Sequence, residues 1–278
     1  ASAGDDTLVG GSGIDTVNAI RQSLVNGVLT DVTGNLVVNM STGALTDTTV
    51  GGLGTDTFSE IENLVTGAGN DTVTGSSVSN LLQTGAGDDV IDAGAGNDTV
   101  QAGDGNDAVF ASAGNDTLDG GNGTNTLKAI QTQVINNVVT DVTGNLTVDM
   151  AAGTITDTTS GGLGTDSFTN FSVLQTGAGQ DTITGSANAD VIDSGAGNDS
   201  VDGGAGNDTL FGGAGADQIL GGAGTDVLDG GLGSDILDGG EGADSVSGGD
   251  GADTLLASAG DDTLVGGSGI DTVNAIRQ

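Results

Sequence analysis

The chain has no cysteine, histidine, tryptophan, tyrosine or proline, and only three of its 278 residues are basic. Each absence removes something. Without cysteine there is no disulfide to staple a small core and no thiolate nucleophile. Without histidine the commonest general base is gone, and so is the imidazole ligand of transition metals. Neither an HExxH nor a GxSxG pattern occurs. The segment is therefore expected not to be an enzyme. The missing disulfides are compatible with secretion without establishing it. With 39 acidic residues and a formal charge of -36, the surface repels phosphates, so nucleic acid is excluded as a partner. An anionic membrane surface is disfavoured for the same reason unless a divalent cation bridges the two. No apolar run approaches the roughly 20 residues of a bilayer span, and no signal peptide is apparent.

What is present is placed with great regularity. Such charge with little hydrophobicity ordinarily signals disorder, yet the 55 glycines follow a strict period. From Ser194 to Leu256 the chain reads SGAGNDSVD, GGAGNDTLF, GGAGADQIL, GGAGTDVLD, GGLGSDILD, GGEGADSVS, GGDGADTLL. Glycine favours the first, second and fourth places, Asp holds the sixth and an aliphatic residue the eighth. In GGAGNDTLF (Gly203–Phe211) the glycines permit a sharp turn, and Asp208–Phe211 forms a short strand with Leu210 inward. Two nonapeptides make one coil, and stacked coils build two parallel sheets. One aliphatic side chain per strand is too little apolar area to offset the ordering of so many glycines.

A bound cation supplies the missing stabilisation. Turn carbonyls and the sixth-place carboxylate offer hard oxygen ligands, which suit calcium better than magnesium. Twenty-two units fit the frame, twenty of them with Asp at place six. These are Asp6, Asp15, Asp56, Asp71, Asp89, Asp98, Asp107, Asp116, Asp166, Asp181, Asp190, Asp199, Asp208, Asp217, Asp226, Asp235, Asp244, Asp253, Asp262 and Asp271, all candidate calcium ligands. Neutralising 36 negative charges takes 18 divalent ions, close to one per intact unit. Asp208, Asp226 and Asp244 are expected to share one row; Asp217, Asp235 and Asp253 line the other. Asn80 and Asn125 break the pattern. GSSVSNLLQ (Gly75–Gln83) is expected to coil without a full calcium site, and in GGNGTNTLK (Gly120–Lys128) Lys128 either replaces part of the missing positive charge or is merely solvated. Without cations the chain is expected to be disordered.

Five regions follow: repeat units at 1–18, a spacer at 19–65 with one repeat-like unit, an array at 66–128, a second spacer at 129–175 with one repeat-like unit, and a second array at 176–278. The spacers carry strand signals. Asn26-Gly27 and Asn136-Asn137 mark hairpin turns, and NLVVNM places Leu36, Val38 and Met40 on one face. Met40, Met150, Phe58 and Phe168 are assigned to the core. Phe110 and Phe211 fall at place nine and face outward. Longer periods overlie the nine. The two half-repeats measure 110 and 146 residues, a difference of four nonapeptides, and Ala1–Gln22 is identical to Ala257–Gln278 at an offset of 256. Residues 257–278 thus restart a 256-residue period, which adds about 70 Å if every coil stacks at strand spacing.

GGAGNDTLF and its neighbours resemble the nonapeptide of RTX proteins, glycine- and aspartate-rich calcium-binding proteins secreted by bacteria. GGLGTDTFSEIENLVTGAGNDTVTG (Gly51–Gly75) is similar to the stretch that leads into RTX arrays in large bacterial surface proteins. The resemblance implies an all-β, calcium-bound parallel β-roll (a β-solenoid) with two inserted β-rich spacers. It also implies sixth-place aspartates and turn carbonyls as ligands, type I secretion to the cell exterior, and folding in external calcium. The favoured function is a structural filament or stalk of tandem periods, self-associating or continuing end to end. An adhesin, a surface-layer subunit or the calcium-dependent secretion module of a larger enzyme or toxin are the alternatives. A cell-surface or matrix polysaccharide is a further candidate partner.

Overall fold

The computed structural model describes residues 4–25, 28–31, 33–49, 52–135, 138–141, 143–157 and 162–275. Its regular structure is all β, in strands of three to seven residues. The chain divides into two compact units, one of Ala1–Leu127 with Asp166–Phe171, the other of Lys128–Thr165 with Ser172–Gln278.

In the second unit the nonapeptide works as its spacing predicts. Each glycine-rich half turns the chain and each second half is a strand, so successive strands join opposite sheets. Parallel pairing then links every second nonapeptide. One sheet aligns Leu210, Leu228, Val246 and Leu264, and the other aligns Ile219, Leu237, Leu255 and Val273. The eighth-place residues from Leu210 to Leu255 are buried, one per strand, and they form the aliphatic core of this stretch. The turns need glycine for two reasons at once. Gly215 has φ 149, and a Cβ built on it would lie 1.4 Å from the carbonyl oxygen of Gly197, one coil earlier. A side chain there would push the coils apart.

The first unit repeats the scheme, with Leu64, Leu82, Val100, Leu118 and Phe168 in register along one sheet. Val38, Val73, Ile91 and Val109 line the facing sheet. Two steps of the ladder pass over a whole spacer insert: Leu8 pairs with Phe58, and Leu118 with Phe168. After each insert the chain thus rejoins its own ladder with an aromatic ring at the core position.

The spacers both continue and decorate the sheets. Leu36–Asn39 pairs parallel with Thr72–Ser76 and antiparallel with Ala44–Asp47, which pairs antiparallel with Thr55–Ser59. The chain doubles back inside an otherwise parallel sheet. Gln22–Val25 and Val28–Asp31 form a separate antiparallel pair, and so do Thr132–Ile135 and Val138–Asp141. The turns at Asn26-Gly27 and Asn136-Asn137 lie outside the described residues. As the alternation predicts, Leu36, Val38 and Met40 are buried while Val37 is 47% exposed. Met150, Phe58 and Phe168 are buried, and Phe211 is 40% exposed.

Replacing Gly215 by Ala is expected to lower stability in calcium by more than about 2 kcal/mol, since it combines a left-handed backbone with a carbonyl clash. Ala216→Ser, at an exposed neighbouring position, is expected to stay within about 0.5 kcal/mol. Thermal unfolding of the two variants checks this, and equal midpoints would refute the role given to the fourth-place glycine.

Candidate metal centre

The sixth-place aspartates form two buried rows between the coils of each array. Asp208 donates its N–H to Asp226 Oδ1 at 2.8 Å, and Asp226 donates to Asp244 at 2.9 Å. In the other row Asp217 donates to Asp235 and Asp235 to Asp253, both at 2.9 Å. The same step recurs from Asp181 through Asp199 to Asp217, from Asp190 to Asp208, from Asp71 through Asp89 to Asp107, and from Asp98 to Asp116. Where a spacer intervenes it spans 50 residues, from Asp6 to Asp56 and from Asp116 to Asp166. Asp262 and Asp271 close the rows by accepting from Asp244 and Asp253. Asp15 donates instead to Glu62 Oε2. One carboxylate oxygen of each ladder acceptor is thereby committed to structure.

The other oxygen is not. In Asp15, Asp56, Asp98, Asp107, Asp116, Asp208, Asp217, Asp226, Asp235, Asp244 and Asp253 the buried Oδ2 meets no hydrogen-bond donor. Where place one is glycine, as beside Asp208, Asp217, Asp226, Asp235 and Asp253, it meets another acceptor. A Cβ built on Gly212 would lie 2.6 Å from Asp217 Oδ2 and 2.7 Å from the carbonyl oxygen of Gly230; on Gly230 it would lie 2.5 Å from Asp235 Oδ2 and 2.6 Å from Gly248 O. Glycine at place one therefore keeps open a gap into which a carboxylate oxygen and the next coil's carbonyl both point. Burying two such acceptors face to face is unfavourable unless a positive charge lies between them. The donors are all hard oxygens, which fits calcium. Among the described residues no three carboxylates gather at one point, so backbone carbonyls must furnish much of the shell. The place-six aspartates and the turn carbonyls would hold the ion, and the ion would supply the charge that draws adjacent coils together.

Proton affinity reports the same strain. Burial pushes Asp217 up to about 6, with the charges of Asp199 and Asp235 adding to it while the Asp199 N–H opposes. Burial likewise raises Asp89 to about 7, against the hydrogen bond from the Asp71 N–H and with help from the charges of Asp71 and Asp107. Asp71, Asp116, Asp181 and Asp208 rise to about 6, again chiefly through burial.

Several sites depart from this pattern in ways the nonapeptide frame does not reveal. Thr66, Thr84, Thr176 and Ser194 stand at place one, and their hydroxyls donate to the carbonyls of Thr84, Ala102, Ser194 and Gly212. Each hydroxyl has one proton. Directed at the carbonyl, it leaves Oδ2 of Asp71, Asp89, Asp181 and Asp199 without a donor. Asp190 is different, because its Oδ2 accepts the N–H of Ser186 at 2.7 Å. Ser186 follows the first glycine, and the fourth place is Asn188, so this turn folds onto its own carboxylate. Ser76 does the same to Asn80 at 2.8 Å.

Three spacer carboxylates outside the repeat-like units need no cation. Asp47 Oδ1 accepts from the N–H and hydroxyl of Thr49, and its Oδ2 from the Leu53 N–H. Burial pushes Asp47 up, yet these bonds and the charge of Arg21 outweigh it and hold the carboxyl below its usual value. Asp31 is saturated in the same way by Thr33 and Ala68, and Asp141 by Thr143 and Ala178. The D-x-T spacing of these residues is a local turn signal legible in sequence.

Coils turned by glycine, with a buried carboxylate row lacking donors on one side, define a calcium-binding parallel β-roll. The chain belongs to the family of the RTX calcium-binding nonapeptide repeat, described as four copies per match, with matches at residues 1–19, 57–77, 65–100, 74–109, 93–127, 172–201, 202–237 and 238–273. These matches cover more than half of the chain and leave out 20–56 and 128–171, which hold the antiparallel spacer strands. Proteins of this family are typically secreted and extracellular. No curated protein matches the chain.

The raised carboxyl groups set a pH dependence. The metal-free fold binds protons more tightly than the unfolded chain, so it is most favoured below about pH 4 and loses stability as pH rises through about 6 to 7. In chelator, acidification from about pH 7.5 to about pH 5 is therefore expected to increase strand signal in circular dichroism. A signal that falls over that range would contradict the opposed-acceptor geometry.

Proposed function

We propose that the chain is a segment of an extracellular structural solenoid, built of tandem 256-residue periods and extended as a filament or stalk on a bacterial surface. The observation that carries this reading is one coil seen twice. Residues 7–9 and 16–18 are identical to 263–265 and 272–274. At the first location the coil pairs with strands that follow it, Thr57–Ser59 and Asn63–Val65. At the second it pairs with strands that precede it, Ser245–Ser247 and Thr254–Leu256. One sequence thus accepts a neighbour on either side, as an internal coil of a continuous solenoid must.

Weak calcium sites of such a module fill at the millimolar concentrations found outside cells and stay empty in cytosol. This supports export through a type I route in the unfolded state, with folding on arrival. The carboxylates are committed to ladders and to cation sites, and no catalytic role is assigned to them. Among the described residues no helix is long and apolar enough to cross a membrane.

Electron micrographs of the native material with and without a chelator test the reading. Thin rods in calcium that collapse on chelation are expected; globular particles in calcium, or rods indifferent to chelator, would refute it. The intact polypeptide mass tests the tandem arrangement separately, since a native chain of only 278 residues would exclude it.

A further inference from the structure

Asn125 occupies place six of Gly120–Lys128, and it is fully buried. Its Oδ1 accepts the N–H of Asp107 at 2.9 Å, the same service that Asp107 Oδ1 performs for Asp89. That bond fixes which way the amide lies. Nδ2 must then take the side on which an aspartate carries its Oδ2. There it donates to the carbonyl oxygen of Asn170 at 3.0 Å and, at 3.4 Å, to that of Gly121. The Asn170 backbone is itself anchored, because its side-chain Nδ2 donates to Asp119 Oδ1 at 2.7 Å.

The gap is the one described for the calcium-type units. A Cβ on Gly120 would lie 2.6 Å from Asn170 O and 2.8 Å from Asn125 Nδ2, against 2.7 Å from Gly230 O and 2.6 Å from Asp217 Oδ2 for Gly212. Nitrogen has replaced oxygen at an unchanged position. Its protons now point at carbonyls that would otherwise face a second acceptor. The half-repeat supplies the contrast, for Asn125 corresponds to Asp15 at an offset of 110. The Asp15 Oδ2 is buried without a donor, and a Cβ on Gly10 would meet the Glu60 carbonyl oxygen at 2.0 Å. Asn80 is oriented the other way. Its Oδ1 lies on the gap side, 3.0 Å from a Cβ built on Gly75 whose nearest neighbour is the Ala93 carbonyl oxygen, and accepts the Ser76 N–H, while its Nδ2 donates to Glu62 O of the preceding coil at 2.8 Å.

We propose that Asn125 is a built-in substitute for the metal ion. Its amide closes the coil junction with N–H groups where the aspartate units use a cation, so this junction takes up no calcium. The charge of Lys128 is then not needed there. The inference rests on the reading that the aspartate units bind calcium.

Native mass spectrometry of the full chain in calcium, counting ions one by one, tests it. Asn125→Asp is expected to bind one calcium more than the wild type, and Asp15→Asn one fewer while keeping its strand signal. An unchanged count in Asn125→Asp that remains folded would overturn the substitution. So would an Asp15→Asn chain that keeps its count or cannot fold in calcium, and this second variant decides the matter if the first does not fold. A wild-type chain that takes up no calcium would instead refute the calcium reading itself, and this inference with it.

Discussion

Everything in this molecule turns on two oxygen atoms that face each other with no proton between them. The Oδ2 of a sixth-place aspartate and the carbonyl of the neighbouring coil, as at Asp217 and Gly230, share one small gap. Left alone, such a pair opposes coil stacking, and it repeats beside Asp208, Asp217, Asp226, Asp235 and Asp253. With a cation in the gap the same pair becomes an attraction. The ladder of N–H bonds to Oδ1 positions the carboxylate, and burial removes the water that would otherwise relieve it. A thin aliphatic core suffices because it has only to align the strands.

The chain uses its carboxylates in two distinct ways. In the arrays one oxygen is committed to the backbone and the other is left for an ion. In the spacers Asp31, Asp47 and Asp141 spend both oxygens on threonine and backbone donors. These spacer carboxylates are therefore satisfied without a cation, while those of the arrays keep an oxygen to offer one. Strands in the spacers also pair antiparallel with near neighbours, so their contacts close short loops that cost little entropy.

The arrays were legible from sequence because one period specifies turn, strand, core and ligand together. Knowing that Asp208 and Asp226 lie two nonapeptides apart is enough to stack them. The spacers were only half legible. Alternation placed Leu36, Val38 and Met40 inward, but the pairing of Val38 with Val73 joins a spacer to an array and obeys no repeat. At the sites, what the period hid were exceptions carried by single atoms. A hydroxyl at Thr66, a backbone N–H at Ser186 and an amide nitrogen at Asn125 each sit where the motif is silent or broken. Asn125 looked like a lost ligand by composition; the network around it shows a donor gained.

Alternation between facing sheets has one more consequence. Because each nonapeptide sends its strand to the sheet opposite the last, gaining or losing a single unit would transfer every later strand of that array to the wrong side. Only an even number of units preserves sidedness. The half-repeats differ by 36 residues, which is four nonapeptides but two complete coils. Growth of this chain is thus constrained by parity, and its smallest silent insertion is a pair of nonapeptides.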